Sequence, residues 1–135
     1  MGEGMMSGPE QQSIKAKPIH VRDVPHQCEE WFVNDSYCMK RITIHPHMRS
    51  SAHYHPRKRE AFFVVSGELI VQREETLTAS KQLLHDLFKA GDVVVIPPLE
   101  VHWWENHQSE PAVVIEASSH HEDDDAVKLK PSGPI

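Results

Sequence analysis

Residues 53–67, HYHPRKREAFFVVSG, set two histidines two positions apart, then a carboxylate at Glu60, then a β-branched and aromatic run closed by Ser66-Gly67. Residues two apart on a strand point to the same face, so His53 and His55 can converge on one point. A second run, GDVVVIPPLEVH at residues 91–102, ends on His102. Three imidazoles and one carboxylate offer nitrogen and oxygen donors without a thiolate, which suits a borderline divalent ion and leaves room for water or substrate. His53, His55, Glu60 and His102 are therefore read as ligands of one divalent metal ion, with zinc, manganese, iron and nickel all compatible.

Outward from these runs the same texture repeats. WFV (31–33), CMKRITI (38–44), AFFVV (61–65), ELIVQ (68–72), VVVI (93–96), VHWWE (101–105) and AVVIEA (112–117) are short apolar runs parted by Gly, Pro, Asn and Asp. Such spacing indicates an all-β sandwich or barrel. Leu83, Leu84, Leu87 and Phe88 fall near helical spacing, but a strand feeding Gly91-Asp92 competes and is the preferred reading. A last short strand is expected at AVKL (126–129).

The chain has 135 residues, enough for one domain with a single core, and 39% of them are hydrophobic. The mean hydropathy is −0.51, and no apolar run approaches the roughly 20 residues that cross a bilayer. A net charge of −6 argues against nucleic acid or an anionic membrane as partner. Residues 1–17 are rich in Gly, Ser, Gln and Lys and lack the apolar centre of a secretory signal, so they are expected as a disordered leader. The domain is expected over 18–130, with 131–135 as a tail. Cys28 and Cys38 fit no zinc knuckle and read as reduced thiols of a cytoplasmic protein. Among eleven histidines, His20, His26, His85 and His107 look scattered over the surface.

Two motifs now stand out as they are spaced here: His53-x-His55-x4-Glu60-x6-Gly67, and Gly91-x5-Pro97-x-Leu99-x2-His102-x3-Asn106. Together they resemble the paired motifs of the cupins, double-stranded β-helix proteins of jelly-roll shape. The resemblance implies that fold and the same four metal ligands. Two glycines of the pattern are replaced, by His47 and Leu99, where altered loop geometry with the fold kept is expected. A narrower likeness runs through residues 39–71, VIPPLEVHWWEN (95–106) and IEASSHHEDDDAVKLKPSG (115–133), which look like the cupin domain of type II mannose-6-phosphate isomerases. That family's arginine after the acidic run is Lys128 here, a point charge without the bidentate fork that grips phosphate.

With His53 facing inward, Phe62 and Val64 share the face of Glu60, and Trp104 and Asn106 share that of His102. Phe62 and Trp104 are then expected to wall the substrate cup. Arg57, Lys58 and Arg59 read first as a solvated loop and second as a rim clamp for a substrate carboxylate or phosphate. Glu60, Glu116 and Lys40 are candidate proton carriers, the last two unranked because strand register is not readable. The run His120-His121-Glu122-Asp123-Asp124-Asp125 reads as a solvated acidic turn or, less simply, a second cation site. Three functions fit: a metal-dependent sugar or sugar-phosphate isomerase or epimerase, an iron(II)-dependent dioxygenase, or a non-catalytic module that binds a carbohydrate or small acid. A small-molecule partner is implied in each, and a homodimer is the default assembly.

Overall fold

The computed structural model describes residues 13–74, 83–119 and 125–135. Most of the expected leader, the start of the helix-or-strand stretch and most of the acidic run lie outside these residues. Among those described the chain forms β1 (His20–Val24), β2 (Gln27–Val33), β3 (Cys38–Ile44), β4 (Met48–Arg49), β5 (Ala52–Tyr54), β6 (Glu60–Ser66) and β7 (Glu68–Glu74). It continues with β8 (Leu83–Lys89), β9 (Val93–Ile96), β10 (Val101–Asn106), β11 (Ala112–Ser118), β12 (Val127–Lys130) and β13 (Gly133–Pro134). The stretch from Leu83 is the strand preferred from the sequence: it pairs with β7 from Glu68↔Lys89 to Glu74↔Leu83.

Two antiparallel sheets face each other. One runs β1-β2-β3-β11-β6-β9; the other runs β12-β5-β10-β4-β13, with β7 on β10 and β8 on β7. Alternation is clean where a strand is covered on one face. On β6, Glu60, Phe62 and Val64 are buried while Phe63 and Val65 are exposed, as expected from the inward turn of Glu60. Val64, Val114, Ile42, Val71 and Trp104 meet between the sheets in the core. Gly133 and Pro134, in the segment read as a tail, pair with Arg49 and Met48, and Ile135 donates its N–H to the His47 carbonyl.

The turns hold a correction. His47 and Leu99 both adopt the left-handed conformation, at φ 57° and 73°, as do Gly67 and Gly91. The loops expected to change shape have kept the geometry that glycine favours. The paired strands on either side fix the path of the chain, so the side chain bears the strain instead. At Gly67 the constraint is also steric, because a Cβ there would stand 2.8 Å from the Ala112 Cα.

Candidate metal centre

Register assembles the site. Trp31↔Lys40, Lys40↔Glu116, Glu116↔Phe62 and Phe62↔Val94 are directly paired, so these five residues form one transverse row across the inner face of the first sheet. One row further along β6, Glu60 stands opposite Ser118. On the facing sheet His102 pairs with His53, and His53 pairs in turn with Lys128 of β12. His55 lies just beyond the end of β5, in irregular chain, and not on a strand as its spacing suggested.

The three imidazoles come together: their ligand atoms lie within 4.8 Å of one another. Glu60 Oε1 stands 3.3 Å from Nε2 of both His55 and His102. Each ring donates Nδ1–H to a main-chain carbonyl: His53 to Ser51 at 2.8 Å, His55 to Asp125 at 3.1 Å, and His102 to Glu100 at 3.0 Å. A carbonyl only accepts, so each proton sits on Nδ1 and each Nε2 carries a lone pair. Glu60 Oε1 and His102 Nε2 are buried and have no hydrogen-bond partner among the described residues. A carboxylate oxygen facing imidazole lone pairs is satisfied by a shared cation, and the donor set fits a single divalent ion.

Electrostatics agree with that fit. Burial pushes the His53 imidazole down to about 3 and that of His55 to about 4, so both stay neutral ligands in neutral solution. Burial alone would raise the Glu60 carboxyl, but in the acid range where it titrates the protonated His102, then Lys58 and the protonated His55, outweigh burial and hold it below the usual carboxylate range.

Beside the imidazoles lies a second polar group. Lys58 Nζ stands 3.5 Å from Glu60 Oε2 and 3.2 Å from Glu116 Oε2, and Lys40 Nζ lies 3.9 Å from Glu116 Oε2. Burial, followed by the charge of Glu60, raises the Glu116 carboxyl. Burial would lower the Lys58 ammonium, but Glu116 and Glu60 outweigh it and raise it.

Not every expected residue joins the site. The basic triplet does not act together: Lys58 is buried in the cup, whereas Arg57 reaches Asp125 at 3.3 Å and Arg59 is exposed. Lys58 turns inward because Asp125 holds its main-chain N–H and that of Arg57, while Glu60 and Glu116 take its ammonium. Neither the solvated loop nor the rim clamp describes Lys58. Asp125, read as part of a solvated turn, is 1% exposed. Phe62 and Trp104 do wall the cavity, edge to face at 5.0 Å, and Phe62 lies 6.4 Å from the His102 ring. The cavity, of about 250 Å³, is also lined by residues the sequence reading did not select: Arg22, His26, Gln27, Glu29 and Trp31. Glu29 accepts hydrogen bonds from Arg22, Gln27 and Trp31, which ties β1 and β2 into one polar wall. The one signal was two polar residues, Gln27 and Glu29, on the same face of a strand.

Two facing antiparallel sheets with an imidazole cluster between them define a metal-site jelly roll. The chain belongs to the cupins: the cupin domain family matches residues 40–118. Germin-like protein subfamily 2 member 3 of Arabidopsis thaliana is 35% identical over 74 residues, 55% of this chain and 32% of that protein. Among solved structures, the capsular polysaccharide assembling protein CapF of Staphylococcus aureus is similar with a TM-score of 0.74 at 20% identity, over 85% of this chain and 32% of that one. Oxalate decarboxylase of Lactobacillus farciminis, as a formate complex, gives 0.70 at 20% identity, over 82% and 33%. Oxalate decarboxylase of Bacillus subtilis, studied for its Mn(II) centres, gives 0.69 at 21% identity, over 84% and 30%. This chain spans about a third of the length of each, and likeness at these structural identities is likeness of fold.

Proposed function

We propose that this cupin is a metal-dependent isomerase or epimerase that moves a proton between neighbouring carbons of a small sugar or sugar phosphate. The observation that carries the reading is Glu116, a buried carboxyl that stands beside Lys58 and Lys40, next to the imidazole cluster and not part of it. A divalent ion held by His53, His55, His102 and Glu60 supplies polarisation of an adjacent carbonyl or hydroxyl oxygen when bound. Glu116 is the proton carrier, its raised affinity for a proton matching that task. Lys58 orients Glu116 and is poised to donate to a substrate oxygen that gains charge. Lys40 approaches the same Glu116 oxygen at 3.9 Å, with its ammonium 4.0 Å over the Trp31 ring. Glu60, engaged by two imidazoles and Lys58, serves as a ligand and not as the base.

A cavity of about 250 Å³ lies just under the roughly 300–1,000 Å³ of pockets for drug-sized ligands, which suits a small polar substrate. Lys128, directly across from His53 on β12, is exposed at the mouth of the cavity and supplies the charge for a substrate phosphate, as Arg22 does from β1. This reading agrees with the likeness of residues 39–129 to type II mannose-6-phosphate isomerases. Both cysteines are free thiols, which accords with a cytoplasmic setting.

The test is exchange of a carbon-bound proton with solvent, using metal-loaded protein and a panel of aldoses, hexose phosphates and pentose phosphates. Glu116→Gln should lower exchange ~100- to 10,000-fold while leaving metal affinity unchanged. Absence of exchange on the whole panel sinks the proposal. A second reading rests on the donor set itself, since three imidazoles and one carboxylate also suit iron(II) in oxygen chemistry. It requires dioxygen consumption, to which Lys58 and Glu116 are not essential. Tight sugar binding without exchange or oxygen uptake would mark a binding module.

A further inference from the structure

Asp125 sits two residues before β12 and reaches back to the loop that follows His55. Its Oδ1 accepts the main-chain N–H of Arg57 at 3.1 Å, and its Oδ2 accepts that of Lys58 at 3.0 Å. Arg57 Nε lies 3.3 Å from Oδ1. Two successive N–H groups aimed at one carboxylate make an anion cradle in the turn between β5 and β6. The same residue's carbonyl accepts Nδ1–H of His55 at 3.1 Å. No ladder holds residues 55–59: Leu99 N–H on the His55 carbonyl and Ser119 on both main-chain groups of Arg59 hold the two ends, and the cradle holds the middle of the turn.

We propose that Asp125 is a positioning residue of the metal centre: its carboxylate pins the 56–58 turn, which brings its own carbonyl onto His55 and places the Lys58 ammonium between Glu60 and Glu116. One side chain thereby sets both the direction of a ligand's lone pair and the seat of the lysine beside the proposed base. The carboxylate is 1% exposed, so no water shell substitutes for the two N–H groups when it is removed. Without it, the turn relaxes toward solvent and carries His55 off the carbonyl that holds its tautomer.

The inference rests on the metal-site reading for affinity alone, and the state of His55 tests it separately. The experiment uses the full chain as wild type, Asp125→Ala and Asp125→Asn, with ¹⁵N-labelled histidine. Metal-free samples report the ring nitrogens, and Mn(II) titration reports affinity. Asp125→Ala should convert His55 from the Nδ1–H tautomer to a mixture while His53 and His102 keep theirs, and should weaken Mn(II) about 10- to 100-fold. Asp125→Asn keeps one acceptor oxygen and should recover most of both properties. Wild-type His55 signals in Asp125→Ala overturn the proposal. So does equal disturbance of all three histidines that Asp125→Asn fails to relieve, because that is general unfolding. If wild-type protein binds no Mn(II), the metal reading suffers, and the His55 comparison still decides the role of Asp125.

Discussion

A neutral imidazole has one lone pair, and the partner of its other nitrogen decides where that pair points. Three carbonyls make this choice here, and burial enforces neutrality at His53 and His55. The consequence for metal-free protein is a pH dependence of defined sign. Unfolded, these rings take a proton near 6.5; folded, they resist it to about 3 and about 4. Over that window the unfolded chain binds more protons, so stability rises with pH. The contribution is full above about pH 6.5 and is lost as the pH falls toward about 4. Thermal unfolding of chelated protein should show a clear drop in midpoint between about pH 7 and about pH 5, and His53→Gln should flatten it. Lys58 gives a prediction of opposite slope. It is 4% exposed between two carboxylates, and Lys58→Met removes the cation that bridges them, leaving only Lys40 at 3.9 Å from Glu116. Denaturant melts near neutral pH should show a loss of about 3–5 kcal/mol. The Glu116 carboxyl, already raised by burial and Glu60, is then raised further, so the loss should shrink as acid protonates it.

At the level of strands and turns, His47 and Leu99 occupy conformations that glycine takes without strain. A left-handed residue with a Cβ costs roughly 1–2 kcal/mol, partly offset by the entropy a glycine adds to the unfolded chain. His47→Gly and Leu99→Gly should each stabilise the fold by about 0.5–1 kcal/mol in urea titrations, with loop geometry and metal affinity kept. These turns also mark where sequence reading stops. The imidazole cluster was legible because its donor chemistry is unusual and because two histidines two apart can face one point, as His53 and His55 do although His55 lies just past β5. The inward faces of β6 and β10 were legible because a known inward residue propagates along a strand with period two. Glu116 and Lys40 were readable only as candidates: each faces the cup because β11 lies between β3 and β6 in one register, and a slip by one residue would turn both to solvent. Arg22, Gln27 and Glu29 escaped for a related reason. β1 and β2 carry no ligand to anchor their facing, and their buried face is polar, so hydrophobic alternation says nothing about it. Lys58 was misplaced because a turn has no period at all.

Across the whole molecule, the first sheet divides its two faces between chemistry and contact. Its inner face carries Glu60, Glu116 and Lys40; its outer face carries Val93, Val95, Phe63, Val65 and Met39, between 46% and 65% exposed. Pairing runs Val93↔Phe63, Phe63↔Ile115 and Ile115↔Arg41, so the apolar surface is continuous from the edge strand β9 until the Arg41–Glu30 ion pair. A contiguous apolar patch bounded by charge marks a contact site, and a twofold pair is the commonest way to cover one. We propose a homodimer through this face, with an interface in the standard range of roughly 1,200–2,000 Å². Light scattering on wild-type protein should give twice the chain mass, and the double substitution Phe63→Glu with Val95→Glu should give a monomer. Because those side chains point away from the cup, the monomer should still bind metal with wild-type affinity, so that loss of assembly and loss of the site come apart. A wild-type monomer at high concentration, or a metal affinity that falls with the dimer, would mean that the two faces of this sheet are not independent.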